Sequence, residues 1–267
     1  MKEILLEELK SIQLEILDKV DEYCKKVGLQ YFLSSGTLIG AIRHKGYIPW
    51  DDDIDIYMPR KDYETFVRDY NAYDGNFRVL SLKTIPDYTN AYAKVERVGT
   101  LLIENVDYPF EMGINIDVFP VDGVPDDIDI RKSYMNKADR LFQKMTLKNV
   151  SINFRRRGFL KNLTLALAKV LLLPKSLPVL AKELDSMIDK ECETTKYVCN
   201  LVSNNKFGKE YPRSVIEGSV DVEFEGKKYK TMQGWETYLS VNYGDYMQLP
   251  PEEKRVSTHG FKAYWKE

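Results

Sequence analysis

Between Ser34 and Met58 the chain reads SSGTLIGAIRHKGYIPWDDDIDIYM: a small-residue turn, a basic turn, then four aspartates interleaved with isoleucines. Alternate residues of an extended backbone share a face, so Asp51, Asp53 and Asp55 would point one way and Ile54, Ile56 and Met58 the other. Such a strand must be half buried. Its apolar face needs a core, and its acidic face needs something that offsets three like charges side by side. A hard divalent cation does this, because Mg²⁺ favours carboxylate oxygens shared with substrate phosphates. Phosphoryl-type chemistry is the first expectation.

The rest of the chain can supply that core. Its 267 residues, 43% hydrophobic and 30% charged, fit a folded domain, and a net charge of −2 offers no global basic field for nucleic acid. The amino terminus carries charges throughout and lacks the apolar run and cleavage site of a secretory signal. Leu5, Leu9, Ile12, Ile16, Val20 and Tyr23 instead recur at helical spacing, predicting an amphipathic helix. Cys24, Cys192 and Cys199 are odd in number and without CxxC spacing, which fits a reducing, cytoplasmic setting.

Short strands are expected at Gln30 to Ser34 and Asp53 to Met58, with a short helix at Leu38 to Arg43 between them and a helix from Arg60 to Tyr70 after them. Further strands are expected at Phe77 to Leu82, Tyr92 to Val95, Thr100 to Glu104 and Gly113 to Pro120. In the last of these Asp117 lies on the polar side of an alternating pattern. A charged helix from Asp126 to Asn149, helices broken at Pro174 and Pro178, a hairpin turning at Glu225-Gly226-Lys227 and a turn-rich closing segment complete the chain.

The acidic run fails as a calcium loop beginning at Asp51, since Ile56 and Asp62 stand where glycine and glutamate are required. Alternate carboxylates of such a strand are close enough to converge on one ion or on a metal pair, with Asp52 on the other side and Asp117 completing the oxygen set from a neighbouring strand. Asp117 could equally serve as general base toward an acceptor hydroxyl. Gly36-Thr37 ahead of a short helix suggests a phosphate seat, although no Walker spacing occurs. Arg43, His44 and Lys45 could neutralise a diphosphate, and Lys254, Arg255 and His259 could close over a phosphate; each group also reads as a solvated charged turn. With His44 and His259 the only histidines, a zinc site is not expected. Residues 154–173, three arginines before an interrupted apolar run, read as a buried helix or an interfacial contact with a membrane.

GTLIGAIRHKGYIPWDDDIDIYMPRKDYE, followed by INIDVFPVDG and by YGDYMQLPPEEKR with His259, resembles the LicD family of phosphotransferases, and the acidic motif is similar to that of fukutin-type phosphoribitol transferases. The resemblance implies an α+β fold: a nucleotidyltransferase-like mixed sheet core with flanking helices in residues 1–125, and a helical region with a closing segment in 126–267, packed with the core. It implies Mg²⁺- or Mn²⁺-dependent transfer of phosphocholine or a phosphopolyol from a CDP-linked donor such as CDP-choline to a hydroxyl of a cell-surface glycan, teichoic acid or lipopolysaccharide, at the inner face of the membrane. By matching motif positions, Asp53, Asp55 and Asp117 resemble the catalytic aspartates and, with Asp51, the metal ligands. Gly36, Thr37, Arg43, Lys94, Arg255 and His259 resemble donor-contacting positions. True nucleotidyl transfer, or an inactive glycan- or nucleotide-binding module, are the competing readings.

Overall fold

A computed structural model describes residues 1–104, 108–149, 163–164, 166–167, 169, 175–190, 194–203, 206–256 and 261–266. Strand β1 (Lys2–Ile4) leads into helix α1 (Leu6–Val27), followed by β2 (Phe32–Leu33), α2 (Ser35–His44), β3 (Asp55–Pro59) and α3 (Arg60–Asp69). Next come β4 (Phe77–Leu80), β5 (Ala93–Arg97), β6 (Thr100–Ile103), β7 (Asn115–Val124), α4 (Ile128–Asn149) and α5 (Leu177–Met187). The chain continues through β8 (Tyr197–Cys199), β9 (Tyr211–Pro212), β10 (Ser219–Phe224), β11 (Lys227–Met232), α6 (Trp235–Tyr243) and β12 (Lys262–Trp265).

The predicted first helix forms for the expected reason. Leu9, Ile12, Ile16, Leu17, Val20 and Tyr23 make one buried stripe, Glu7 and Glu8 sit at its positive end and Lys25 and Lys26 at its negative end. Gly28 stops it in the left-handed conformation that lets its N–H reach the Cys24 carbonyl at 2.8 Å. Burying Ile16, Leu17 and Val20 contributes roughly 1.5–3 kcal/mol each.

The main sheet has the order β2-β3-β7-β5-β4, with β8 added to the far end of β7 and β9 to β8. Only β3 and β7 run parallel, so the sheet is mixed and the fold is α+β. Helices α1 and α3 pack against β7. Ile54, Ile56 and Met58 are fully buried, as the alternating pattern required. At the far end of the parallel pair, Arg60 grips Asp122 with two hydrogen bonds of 2.5 and 2.9 Å, both side chains buried.

Several expectations shift. The acidic strand begins at Asp55, and Asp51 to Ile54 run as an irregular loop. Pro178 does not break a helix; it lies in the first turn of α5, where its missing N–H costs nothing. The C-terminal half adds strands as well as helices. Strand β12 lies between β1 and β6, while β8 and β9 extend the main sheet. The hairpin turn falls at Glu225 and Gly226, both with positive φ (51° and 74°), the signature of a tight two-residue turn. Cys24 and Cys199 are buried free thiols; Cys192 lies outside the described residues, as does most of the 154–173 segment. Among the described residues no helix is long and apolar enough to cross a membrane.

Candidate active site

The site is assembled where the parallel pair begins. Asp55 of β3 is the register partner of Asp117 on β7, and Asp117 is in turn the partner of Lys94 on β5. Neighbouring strands lie about 4.8 Å apart, so these three residues form one row across the sheet. Lys94, buried to 6% exposure, hydrogen-bonds Asp117 and also donates to Asn115 Oδ1 at 3.1 Å. Burial alone would lower the Lys94 pKa, but Asp117, together with Tyr108 and Glu104, outweighs it and holds the ammonium protonated. Burial, then the charges of Asp53, Asp117 and Asp51, push the Asp55 carboxyl well above the usual range, with Lys94 pulling the other way. More negative charge is gathered here than this lysine offsets.

The acidic loop is held from two sides. Gln13 on α1 donates to the Asp52 carbonyl at 3.0 Å and to the Asn115 carbonyl at 3.4 Å, and itself accepts from the Tyr47 hydroxyl at 3.1 Å. The Asp117 N–H donates to the Ile54 carbonyl at 2.8 Å. Carboxylate oxygens of Asp51, Asp52 and Asp53 come within 4.8 Å of one another. Asp52 therefore does not turn away as the strand geometry predicted, because the segment is not a strand there.

The small-residue turn works differently from a simple phosphate seat. A Cβ on Gly36 would stand 2.7 Å from Asp51 Oδ2, so glycine is what lets this carboxylate approach the start of α2. The Thr37 hydroxyl is turned inward and accepts the Asp55 N–H at 2.8 Å, fixing where β3 starts. Arg43 donates to the carbonyls of Tyr246 and Gln248 at 2.9 and 3.4 Å, tying the C-terminal loop to α2. Arg255 donates to the Pro250 carbonyl at 2.8 Å and lies 5.9 Å from the centre of the Trp50 ring, next to the acidic loop. His259 lies outside the described residues. The hairpin tip completes the frame: Glu225 accepts the Tyr47 N–H at 3.0 Å, and its own N–H donates to the Lys45 carbonyl at 2.9 Å.

Two hollows meet at Asp53. One, of about 430 Å³, is lined by Ser35, Gly36, Asp51, Asp53 and Asp55 on one side and by Asn200, Lys209 and Tyr243 on the other. The second, of about 210 Å³, reaches Asp53 and Asp117 from the β5 side. Lys209, Asn200 and Tyr243 were missed in the sequence. Lys209 is held there by the Val241 and Asn242 carbonyls, at 3.0 and 2.7 Å. No motif marks them, whereas Gln13 was detectable as a polar residue on an otherwise apolar helical stripe.

The donor set suits a hard cation. It consists of carboxylate oxygens, and the Asp55 position is one where the ionised form requires compensation. The family model described as LicD/FKTN/FKRP, nucleotidyltransferase domain, matches residues 28–156, a span that contains the whole Asp55–Asp117–Lys94 row. Over 270 aligned residues, 99% of each chain, the sequence is 32% identical to the lipopolysaccharide cholinephosphotransferase LicD of Haemophilus influenzae. Two uncharacterized rickettsial proteins match shorter stretches: that of Rickettsia typhi is 38% identical over 63 residues, 23% of this chain and 20% of its own, and that of Rickettsia prowazekii 42% identical over 48 residues, 18% of each. With a relative above 30% identity aligned over nearly its whole length and the family's nucleotidyltransferase domain laid over the acidic site, this chain belongs to the LicD family of phosphotransferases.

Proposed function

We propose that the protein transfers phosphocholine from CDP-choline to a hydroxyl of a lipopolysaccharide-type glycan. The observation that carries this reading is the row Asp55–Asp117–Lys94, flanked by Asp51 and Asp53, at the junction of two hollows. Asp53 and Asp55, with Asp51 and Asp117 as further oxygen donors, would hold Mg²⁺ or Mn²⁺. When bound, the ion neutralises the donor diphosphate and the charge that grows on the departing CMP.

The larger hollow, with Lys209 opposite the carboxylates, suits the cytidine monophosphate half of the donor. Asp117 faces the smaller hollow, where it accepts a hydrogen bond from the acceptor hydroxyl and takes its proton. The freed oxygen attacks the distal phosphorus, a new P–O bond forms, and the bond to CMP breaks with its electron pair leaving on CMP. Lys94 fixes the Asp117 carboxylate in direction. The name of the Haemophilus relative supports phosphocholine as the group transferred and lipopolysaccharide as its destination.

The test is incubation with Mg²⁺, glycan acceptor and CDP-choline labelled separately on choline and on cytidine. Release of CMP with the choline label on the acceptor is expected. Cytidine label on the acceptor would establish nucleotidyl transfer instead, and no divalent-dependent turnover with any acceptor would favour a binding module.

A further inference from the structure

A third cleft opens beside the smaller hollow, and Tyr92 and Tyr108 line both. On its own side the cleft, of about 290 Å³, is bounded by Phe142 and Thr146 of α4, Leu177 of α5, Val202 after β8, and Thr89 and Asn90 between β4 and β5. Leu177 and Val202 fall outside the stretch that the family model matches, so the cleft is built in part by a region without the acidic motifs. We infer that this cleft seats a neutral sugar ring of the acceptor, held by Thr89 and Asn90, with the hydroxyl to be modified reaching past Tyr92 and Tyr108 to Asp117. The inference rests on the proposed transfer to a glycan and adds where the glycan binds and which sugars it can present.

The polar atoms of the cleft call for a ligand that makes hydrogen bonds. Thr89 is only 3% exposed, and its hydroxyl has no hydrogen-bond partner among the described residues; the same holds for the side-chain nitrogen of Asn90. Buried donors and acceptors are nearly always paired, whether by protein, water or ligand. Here two adjacent residues leave theirs open on one cleft. Thr146 adds an acceptor, since its hydroxyl donates to the Phe142 carbonyl at 3.1 Å and keeps its oxygen lone pairs for an incoming group.

The chemistry of the remaining lining narrows the ligand to an uncharged one. None of the described residues that bound the cleft carries a charge, in contrast to both hollows at Asp53. A carboxylate or phosphate on the ring would lose its water with no cation to meet it. A neutral sugar has the matching surfaces, a C–H face for the ring of Phe142 and hydroxyls for Thr89 and Asn90. An alkyl chain would cover the same apolar wall but leave both polar atoms unpaired.

Saturation-transfer NMR titrations compare methyl glucoside, methyl galactoside and methyl mannoside with their uronic acid counterparts and with octanol. At least one hexoside should bind, and its uronic acid counterpart at least about fivefold more weakly. Thr89→Val and Asn90→Asp should each weaken hexoside binding by at least about fivefold, whereas Thr89→Ser, which keeps the hydroxyl, should stay within about twofold. Because the Thr89 hydroxyl has no protein partner, Thr89→Val should hold or raise the melting temperature, which the loss of a structural hydrogen bond would lower. No bound hexoside, equal binding of the uronic acids, octanol bound in place of the hexosides, or undiminished binding in folded Thr89→Val and Asn90→Asp would each overturn the assignment. Should Thr89→Val fail to fold, Asn90→Asp decides. CMP release whose KM for the glycan acceptor is unchanged in these variants would overturn this inference and leave the transfer reading standing. Hexoside binding that depends on Thr89 or Asn90, without CMP release, would do the reverse.

Discussion

The parallel strands β3 and β7 carry buried charge at both ends, and the two ends are opposites. At the far end Arg60 meets Asp122 in a bidentate pair, and Glu64, Asp185, Lys190 and Lys83 extend it into a network in which both signs are represented. At the near end Asp51, Asp52, Asp53, Asp55 and Asp117 gather around Lys94. Balanced charge needs nothing from outside and serves the fold. A surplus of one sign is a cost that the chain retains where a ligand of the other sign is to arrive.

The largest expected effect removes one partner at the balanced end. Asp122→Ala leaves the Arg60 guanidinium buried without its main acceptor and should cost about 3–5 kcal/mol in denaturant unfolding; a loss below about 1 kcal/mol would show that the pair is not what holds these strands. At the surplus end the response should be the reverse. Asp53→Asn or Asp55→Asn should lower CMP release by at least about 10²–10³-fold, the scale of losing one stabiliser of transition-state charge, while the melting temperature holds or rises. Near-normal turnover in either folded variant would break the contrast.

Thr37→Val should have a smaller effect, because it leaves the Asp55 N–H without its acceptor at the point where β3 starts. A cost of about 1–3 kcal/mol is expected by chemical denaturation, together with reduced turnover. Retained stability with activity intact would mean the hydroxyl does not set the strand's beginning.

Glu64 should give the smallest effect. Burial alone would raise its carboxyl pKa, but the hydrogen bond from Lys83 and the charges of Lys190 and Arg60 hold it below the ordinary value of 4.5. A depressed folded-state pKa contributes stability above the unfolded value that is lost as pH falls through the folded one. Glu64→Gln should thus cost at most about 1 kcal/mol at pH near 7, after allowance for solvent screening, and nothing in strong acid. A cost that persists unchanged below pH of about 3 would assign the effect to packing.

Local pattern carried the sequence reading far. The alternation in Gly113 to Pro120 put Asp117 on a strand, and the isoleucines after Asp53 marked the buried face of β3. Register was out of reach: nothing local in Lys94 says that it sits opposite Asp117, since that pairing depends on how β5 and β7 meet. The acidic loop was mistaken for strand because alternation was treated as sufficient. Strand β2 is only two residues long and pairs with Ile56 and Tyr57, leaving Asp51 to Ile54 without a ladder, and Gln13 takes the Asp52 carbonyl instead. The Thr37 hydroxyl, expected to face a phosphate, accepts the backbone N–H of Asp55, a partner that only the folded chain reveals. Lys209 and Asn200 belong to connecting segments and Tyr243 ends α6, and only the folded chain shows that these side chains face the cleft.

The three-stranded sheet β1-β12-β6 joins the two extremes of the described chain, with Lys2 opposite Trp265 and Lys262 opposite Ile103. Pairings this remote in sequence bear the greatest loop-closure entropy and form late. Leu102 on β6 and Phe261 just before β12 both face the smaller hollow. The aspartate row lies on the main sheet, whereas one wall of the hollow beside it is complete only once β12 has paired with β6, so opening of this small sheet would unmake the hollow before it disturbed the row.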